Sequence, residues 1–505
     1  MLLRRSRRAV LLIATAIAGA CIWAGAQTLV ETTDKYKWLE DVTSERSLAW
    51  VKAENARTDK TLKADPLYAQ LQAAALKVLE SPQRLPDPDL NGPNIYNTWQ
   101  DSNHMQGILR RTSVSYYLTA DPHWQTVLDY DALSKQDSQK WVQHGRTCLY
   151  PGNDLCMMEL SAGGEDAATL REFNLESGRF VQNGFVLPRS KQAIDWIDKD
   201  SLLVARDWGP GTMTKSGYPF VVKLWRRGQP LNTAKEIYRG MATDMDAGPM
   251  VMHDANGHQL TFVIRRLNFF EAELFLLLPQ GVIKAALPRK ADLVGMVSGQ
   301  LIVRLRENWT PEKSSTQVAQ GSIVVLDTEA IKHDPMHLRP DVVFAPTSTE
   351  FAQDAAVTKN YLLVTTLQNV QGRVYSYAPN AHGGWNCHRF SVPDNRTVNI
   401  QTANWSDDRF FLSVSGFLTP SSLLLGDASS NTLKPAKFLP PQFDTSRDTV
   451  EQFQAVSKDG TKVPYFVVRP KNMKYDGANP TVLTAYGGFE ISNTPAYDAV
   501  MGKLW

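Results

Sequence analysis

Apolar positions along the first ninety residues fall at helical spacing. Thr43 or Ser44 can cap a helix that carries Leu48, Val51 and Leu62 with charged residues between them. Asp65-Pro66 then supplies an N-cap and a first helical residue, and Leu67, Leu71, Ala75, Val78 and Leu79 follow three or four apart. The run Pro82, Pro86, Asp87, Pro88, Asp89, Asn91, Gly92, Pro93 ends this region, because it supplies turn residues and withholds backbone donors. From about residue 95 to 445 the pattern changes to short apolar runs closed by Gly, Asp, Asn, Pro or a charge. Phe262–Ile264, Leu274–Leu278, Leu301–Val303, Ile323–Leu326, Tyr361–Thr365 and Phe410–Val414 are examples. So many evenly spaced strands do not fit one simple sandwich. Radial repetition fits them: a β-propeller uses four strands per blade, and roughly seven blades of about 50 residues fill the stretch. No crisp repeat marks the blades, so the pattern alone leaves their number open.

Near residue 446 the pattern shifts again. Phe453–Val456 and Tyr465–Val468 read as strands around the turn Ser457-Lys458-Asp459-Gly460-Thr461. Thr481–Tyr486 reads as a buried strand running into Gly487-Gly488-Phe489, the way an α/β sheet presents a functional loop. Gly487 and Gly488 serve the tight turn.

Composition narrows the class without naming a reaction. The 505 residues are too many for one core, and 43% apolar with 21% charged residues is a folded, globular balance. Aromatics at 10% suit a strand-rich protein. The formal charge of +2 owes four positive charges to Arg4, Arg5, Arg7 and Arg8; residues 1–26 hold no acid, so the remainder carries −2. A nearly neutral body argues against nucleic acid or an anionic membrane as partner. The four arginines, the apolar stretch Ala9–Trp23 and Ala24-Gly25-Ala26 have the parts of a secretory signal peptide. The stretch falls short of the ~20 residues of a membrane span. Residues 1–26 are therefore expected to be removed on export, leaving a periplasmic or secreted protein with no stable membrane insertion. Ser6–Leu11 also resembles a twin-arginine signal, whereas Ala18-Gly19-Ala20 before Cys21 matches a lipoprotein site poorly. Export permits disulfides. Cys148 and Cys156 flank the turn-rich Leu-Tyr-Pro-Gly-Asn-Asp-Leu, which can bring them together, although spacing does not decide whether they are bridged. Cys387 is expected to be a buried thiol. His333 and His337 have metal-like spacing but no third ligand, and Asp244–Gly248 lacks the distal Glu of a calcium loop. No metal or cofactor is implied.

Several ordered segments resemble the prolyl oligopeptidase family. They are Tyr36-Lys37-Trp38-Leu39-Glu40-Asp41 with Trp50-Val51 and Asn55, Tyr96–Asp101, Gly107–Thr112, Leu160–Asp166 with Arg171-Glu172-Phe173, and Ser216–Pro219. Most specific is Ser457–Pro464 followed by Ala485-Tyr486-Gly487-Gly488-Phe489. The resemblance runs from about residue 35 to the end. It implies a mostly β fold: a seven-bladed β-propeller inserted in a split α/β-hydrolase domain that is incomplete here. On that reading residues 1–26 are the signal, 27–95 the N-terminal helical part of the hydrolase, 96–445 the propeller and 446–505 the truncated start of the α/β-hydrolase.

The activity implied is that of a serine-type oligopeptidase cutting short peptides, after proline, through an acyl-enzyme. The chemistry needs a nucleophile, a base and an oxyanion hole. The family's Ser sits in a Gly-x-Ser-x-Gly elbow, with Asp and His following. No such elbow occurs here: in Gly295–Gly299 the Ser is at the wrong offset, and Ser415-Gly416 lacks the preceding Gly. The nine histidines all fall between His104 and His388. By resemblance the Tyr486 phenol donates to the oxyanion, a contact typically worth ~3 kcal/mol, and Phe489 lines the pocket for the residue before the scissile bond. The chain alone is then expected to be inactive. Two alternatives stand beside this: a non-catalytic propeller that binds peptides or partners, and an exopeptidase or other acyl hydrolase on the same scaffold. Oligomeric state is left open.

Overall fold

The computed structural model describes residues 34–487 and 492–505. The export segment and Phe489 lie outside them. The chain divides into two compact units, 1–79 and 80–505.

In the first unit a 3-10 turn, Lys37–Glu40, precedes helices Glu45–Leu62 and Tyr68–Leu79. The Ser44 cap is present: its Oγ accepts from Ser47 N at 3.2 Å. This bond satisfies a backbone donor that a helix start leaves free. Asp65 and Pro66 instead form a turn ahead of the second helix, which starts at Tyr68, with Asp65 Oδ1 accepting from Leu67 N at 2.8 Å.

The second unit is built on seven antiparallel sheets of consecutive strands. They are blades 1 (89–129), 2 (141–190), 3 (193–239), 4 (246–284), 5 (291–344), 6 (350–390) and 7 (397–438). All six apolar runs singled out above lie in second or third strands. Blade 2 has its outer strand broken into Arg179–Phe180 and Val186–Ser190, both paired with Ala168–Asn174.

First strands touch one another at six of the seven blade junctions, from blade 2 round to blade 1, and surround the axis. Each junction is also tied by polar contacts. Arg146 pairs with Asp89 across blades 1 and 2. Trp196 Nε1 donates to Thr147 O (2.9 Å), Val251 N to Asp195 Oδ2 (2.7 Å), Gly299 N to Asp254 Oδ2 (2.6 Å) and Arg304 Nη1 to Gln353 O (2.6 Å). Gln353 Nε2 reaches Asn399 Oδ1 (3.1 Å), and Leu90 N donates to Thr402 Oγ1 (3.2 Å), which closes blade 7 on blade 1. No strand is exchanged at that seam. It is held by packing of Leu90, Ile95, Val114 and Tyr117 against Phe411 and Leu423.

Asp195 shows what such a tie costs. Burial pushes its carboxyl from 3.8 up to about 6, against the opposing pull of the Val251 and Trp196 N–H groups. The folded form thus holds a proton more tightly than the unfolded chain, so this group's contribution to stability falls as pH rises from about 4 to about 6. Asp195→Asn should flatten that part of the stability profile. Melting temperatures of both proteins between pH 4 and 7 test it, and parallel profiles would refute the assignment.

After blade 7, strands Asp448–Val456 and Lys462–Pro470 form the expected hairpin around Gly460, whose φ of +85° the turn requires. Two expectations are corrected. Thr481–Tyr486 is neither a strand nor buried. A buried strand needs neighbours for its backbone and cover for both faces, and among the described residues the hairpin strands pair only with each other. Cys387 is exposed, because it lies on Trp385–Phe390, the outermost strand of blade 6. Cys148 and Cys156 form a disulfide and oppose each other in the blade 2 ladder.

Candidate functional site

A four-stranded antiparallel blade begins its first strand and ends its fourth on the same face. The approach to blade 1 and the departure from blade 7 therefore share one mouth of the ring, here the near mouth. Gln442 Nε2 meets Gln83 Oε1 there at 3.4 Å. Gln442 N donates to the Tyr497 hydroxyl at 2.7 Å, and Phe443 stacks on Tyr497 at 5.1 Å. The 448–470 hairpin sits on the near-mouth turns of blades 6 and 7. Gln371 Nε2 reaches Gln452 Oε1 at 3.4 Å, and Phe417 meets Phe466 at 5.4 Å.

Cations and indoles stiffen the blade 1 side of this mouth. Arg84 and Arg110 lie over Trp99 at 4.5 and 4.2 Å, and Arg110 also lies over Trp124 at 4.3 Å. Burial lowers the Arg110 guanidinium to about 10, with Asp101 pulling it up and Arg84 pushing it down. It stays charged at neutral pH. On the blade 4 turn, Phe269 and Phe270 are exposed at 80% and 57%, an apolar pair presented on the same face.

At the far mouth the blade 2 loop between Cys148 and Cys156 dominates. Tyr150 stacks on His253 at 4.6 Å, stands edge-on to Trp405 at 5.6 Å, and donates its hydroxyl to Asp254 O at 2.8 Å. Burial lowers the His253 imidazole, outweighing the pull of Asp254, which favours the neutral ring in this stack. A cleft of about 570 Å³ beside this loop is lined by Asp154, Arg111, Glu176 and Trp405. Sequence reasoning found the two cysteines but not Tyr150, His253 or Trp405. The turn-rich spacer with an aromatic two residues after the first cysteine was the available signal.

Tyr486 is 51% exposed in irregular chain and makes no side-chain hydrogen bond to another described residue. Among the described residues no histidine, carboxylate or serine side chain is hydrogen-bonded to it. Three histidines do have carboxylate partners: His104 with Asp101 (2.9 Å), His258 with Asp254 (2.8 Å) and His337 with Asp334 (2.9 Å). These pairs are local, three or four residues apart, and fasten loops within the blades; His337 Nε2 also reaches Glu312 Oε2 at 3.5 Å. Ser298, next to the Gly299 that abuts His258, has φ +50° in the two-residue turn Ser298-Gly299 and makes no bond to that ring. It is hairpin geometry, not a nucleophile elbow. Asp244 caps Met241 N at 2.6 Å and pairs with Arg265 at 2.8 Å, which makes it structural. Among the described residues no group of three or more His, Cys, Asp or Glu side chains could hold a metal ion, and no helix is long and apolar enough to cross a membrane.

Comparison with known proteins places this ring. The family described as "Prolyl oligopeptidase, N-terminal beta-propeller domain" matches residues 26–439. An uncharacterized peptidase, y4nA, of Sinorhizobium fredii is 39% identical over 94% of this chain and 66% of its own length. The prolyl endopeptidase of Elizabethkingia miricola is 20% identical over 94% of this chain and 64% of its own. The solved structure of a post-proline cleaving enzyme from Rickettsia typhi superposes with a TM-score of 0.83 at 26% identity, covering 93% of this chain and 70% of that one. The chain thus spans 66% of the length of y4nA and slightly less of the endopeptidase.

Proposed function

Since the chain belongs to the prolyl oligopeptidase family, we propose that it is the channel-bearing part of a serine-type oligopeptidase that cuts short peptides, after proline, through an acyl-enzyme. One observation carries the reading: a closed seven-bladed ring brings both of its flanks back to a single mouth, where Gln83 meets Gln442. A ring so placed can admit a peptide strand to chemistry performed beside that mouth and hold back a folded protein. The exposed near-face aromatics suit apolar peptide side chains.

In this reading Tyr486 supplies the oxyanion donor, and Phe489 lines the proline pocket. The nucleophile is not in a Gly-x-Ser-x-Gly elbow of these 505 residues, and every histidine lies within a blade's span. An oxyanion donor without an activated hydroxyl has nothing to stabilise.

The test has two arms, both using a proline-containing chromogenic peptide and a serine-reactive phosphonate. The 505 residues alone should give neither turnover nor stoichiometric labelling. Joined to the Ser/Asp/His segment of a relative, they should turn over peptide, and Tyr486→Phe should then lower kcat by about 10²-fold. Labelling of one serine in the chain alone, with turnover that its substitution abolishes, would overturn this placement of the active site. A joined protein that binds peptide tightly without cleaving it would favour a non-catalytic binding propeller instead.

A further inference from the structure

We propose that the loop closed by Cys148 and Cys156 is a stopper, which seats Tyr150 on the ring axis and shuts the far mouth of the channel to peptides. The argument is positional. Tyr150 springs from blade 2, yet its ring stacks on His253, at the far end of the blade 4 first strand, and meets the edge of Trp405 in the far turn of blade 7. In a ring of seven, blades 4 and 7 stand three positions apart, on nearly opposite sides. A side chain that touches both, and comes from a third, stands over the central opening.

The loop is fastened on all sides. The Tyr150 hydroxyl donates to Asp254 O at 2.8 Å. Asn91 Nδ2 of blade 1 donates to Asn153 O at 3.0 Å, while Trp405 Nε1 donates to Asn91 Oδ1 at 3.0 Å. Within the loop, Asn153 N donates to Leu149 O and Leu149 N to Leu155 O, both at 2.8 Å. The disulfide joins the two feet, so the loop cannot splay without breaking a covalent bond. Tyr150, His253 and Trp405 together place three ring systems where an extended peptide would have to pass, and the Tyr150 hydroxyl already occupies the backbone acceptor of Asp254.

Peptides therefore reach the channel only by the near mouth, and the far mouth opens when the loop is released. This inference rests on the ring geometry and not on the peptidase reading, so the two fail separately. The test reads access directly. In the full chain carrying Cys21→Ser and Cys387→Ser, Ala356→Cys places one thiol on the channel-lining first strand of blade 6, at its far end. Its alkylation by a bulky polyethylene glycol maleimide is compared with that by N-ethylmaleimide.

With the loop intact the bulky reagent should react slowly. Tyr150→Gly, and separately Cys148→Ser/Cys156→Ser, should speed it by at least about tenfold while leaving the small reagent little changed. Tyr150→Phe keeps the ring stack and should stay near the parent rate. Tyr150→Gly retains the disulfide, so it remains informative even if the double serine variant misfolds. Fast bulky labelling of the parent, or an unchanged rate in Tyr150→Gly, would overturn the stopper.

Discussion

Phe411→Ala is expected to destabilise the protein by about 3–5 kcal/mol, the range for emptying a fully buried aromatic site, and to loosen the ring at one place. Phe411 has no exposed surface and lies edge-on to Tyr117 at 5.5 Å, in the cluster that joins blade 7 to blade 1. Tyr117 is fastened by its hydroxyl to Pro86 O at 2.6 Å, and it cannot follow the vacated volume without losing that bond. Every blade is made of consecutive strands. The seam therefore depends on side-chain packing and a few hydrogen bonds such as Leu90 N to Thr402 Oγ1. Amide exchange should rise first in Asp89–Asn91 and Thr397–Ala403, while blades 3 to 5 keep their protection. Phe262→Ala, an equally buried site in blade 4, serves as the control: similar loss, different location. Uniform exchange across all blades in the Phe411 variant would refute a weak seam.

Arg227→Ala should cost a comparable amount, about 3–5 kcal/mol, because it strands a buried carboxylate. Glu172 is 2% exposed and receives Arg227 Nη1 and Nη2 at 2.8 and 3.0 Å, with Phe185 N at 2.7 Å on the same side chain. The pair spans blades 2 and 3 where the outer strand of blade 2 is broken. Gly184 belongs to the same arrangement, since a Cβ there would stand 2.8 Å from Glu172 Oε2. Without the guanidinium the remaining single N–H cannot compensate the charge. The double variant Arg227→Ala/Glu172→Gln removes the charge as well and should recover much of the loss. Denaturation midpoints of the three proteins decide it: a double variant no more stable than Arg227→Ala would show that lost packing, not the unpaired charge, sets the cost.

The exposed position of Tyr486 shows how little of the proposed active site could be tested by local sequence reading. Its role depends on a nucleophile that no segment of this chain supplies in the expected motif. Among the described residues no side chain is hydrogen-bonded to it, and Phe489 lies outside them. The far mouth was half legible: the cysteine pair and the turn between them are local features, whereas the contacts of residue 150 with residues 253 and 405 span more than one hundred and more than two hundred positions. No periodicity carries such a contact.

What the chain determined by itself is local and repetitive. Ser44 caps its helix, and Asp65 closes the turn ahead of the next, because a short oxygen-bearing side chain satisfies free N–H groups close to it in sequence. The apolar runs became second and third strands, such as Leu362–Gln368 and Ile323–Asp327, because those strands are covered on both faces by neighbouring blades and cannot alternate with polar residues. Tertiary structure decided everything that depends on what stands alongside. Fourth strands such as Lys235–Arg239 and Trp385–Phe390 are largely exposed, so they carry no apolar signature, and Cys387 is open to solvent there. Thr481–Tyr486 has the composition of a buried strand and is not one, because a strand exists only where a partner takes its backbone hydrogen bonds. Closure of blade 7 on blade 1, and the seat of Tyr150 between blades 4 and 7, follow from the number of blades that fit around one axis, and that number is a property of packing rather than of any single segment.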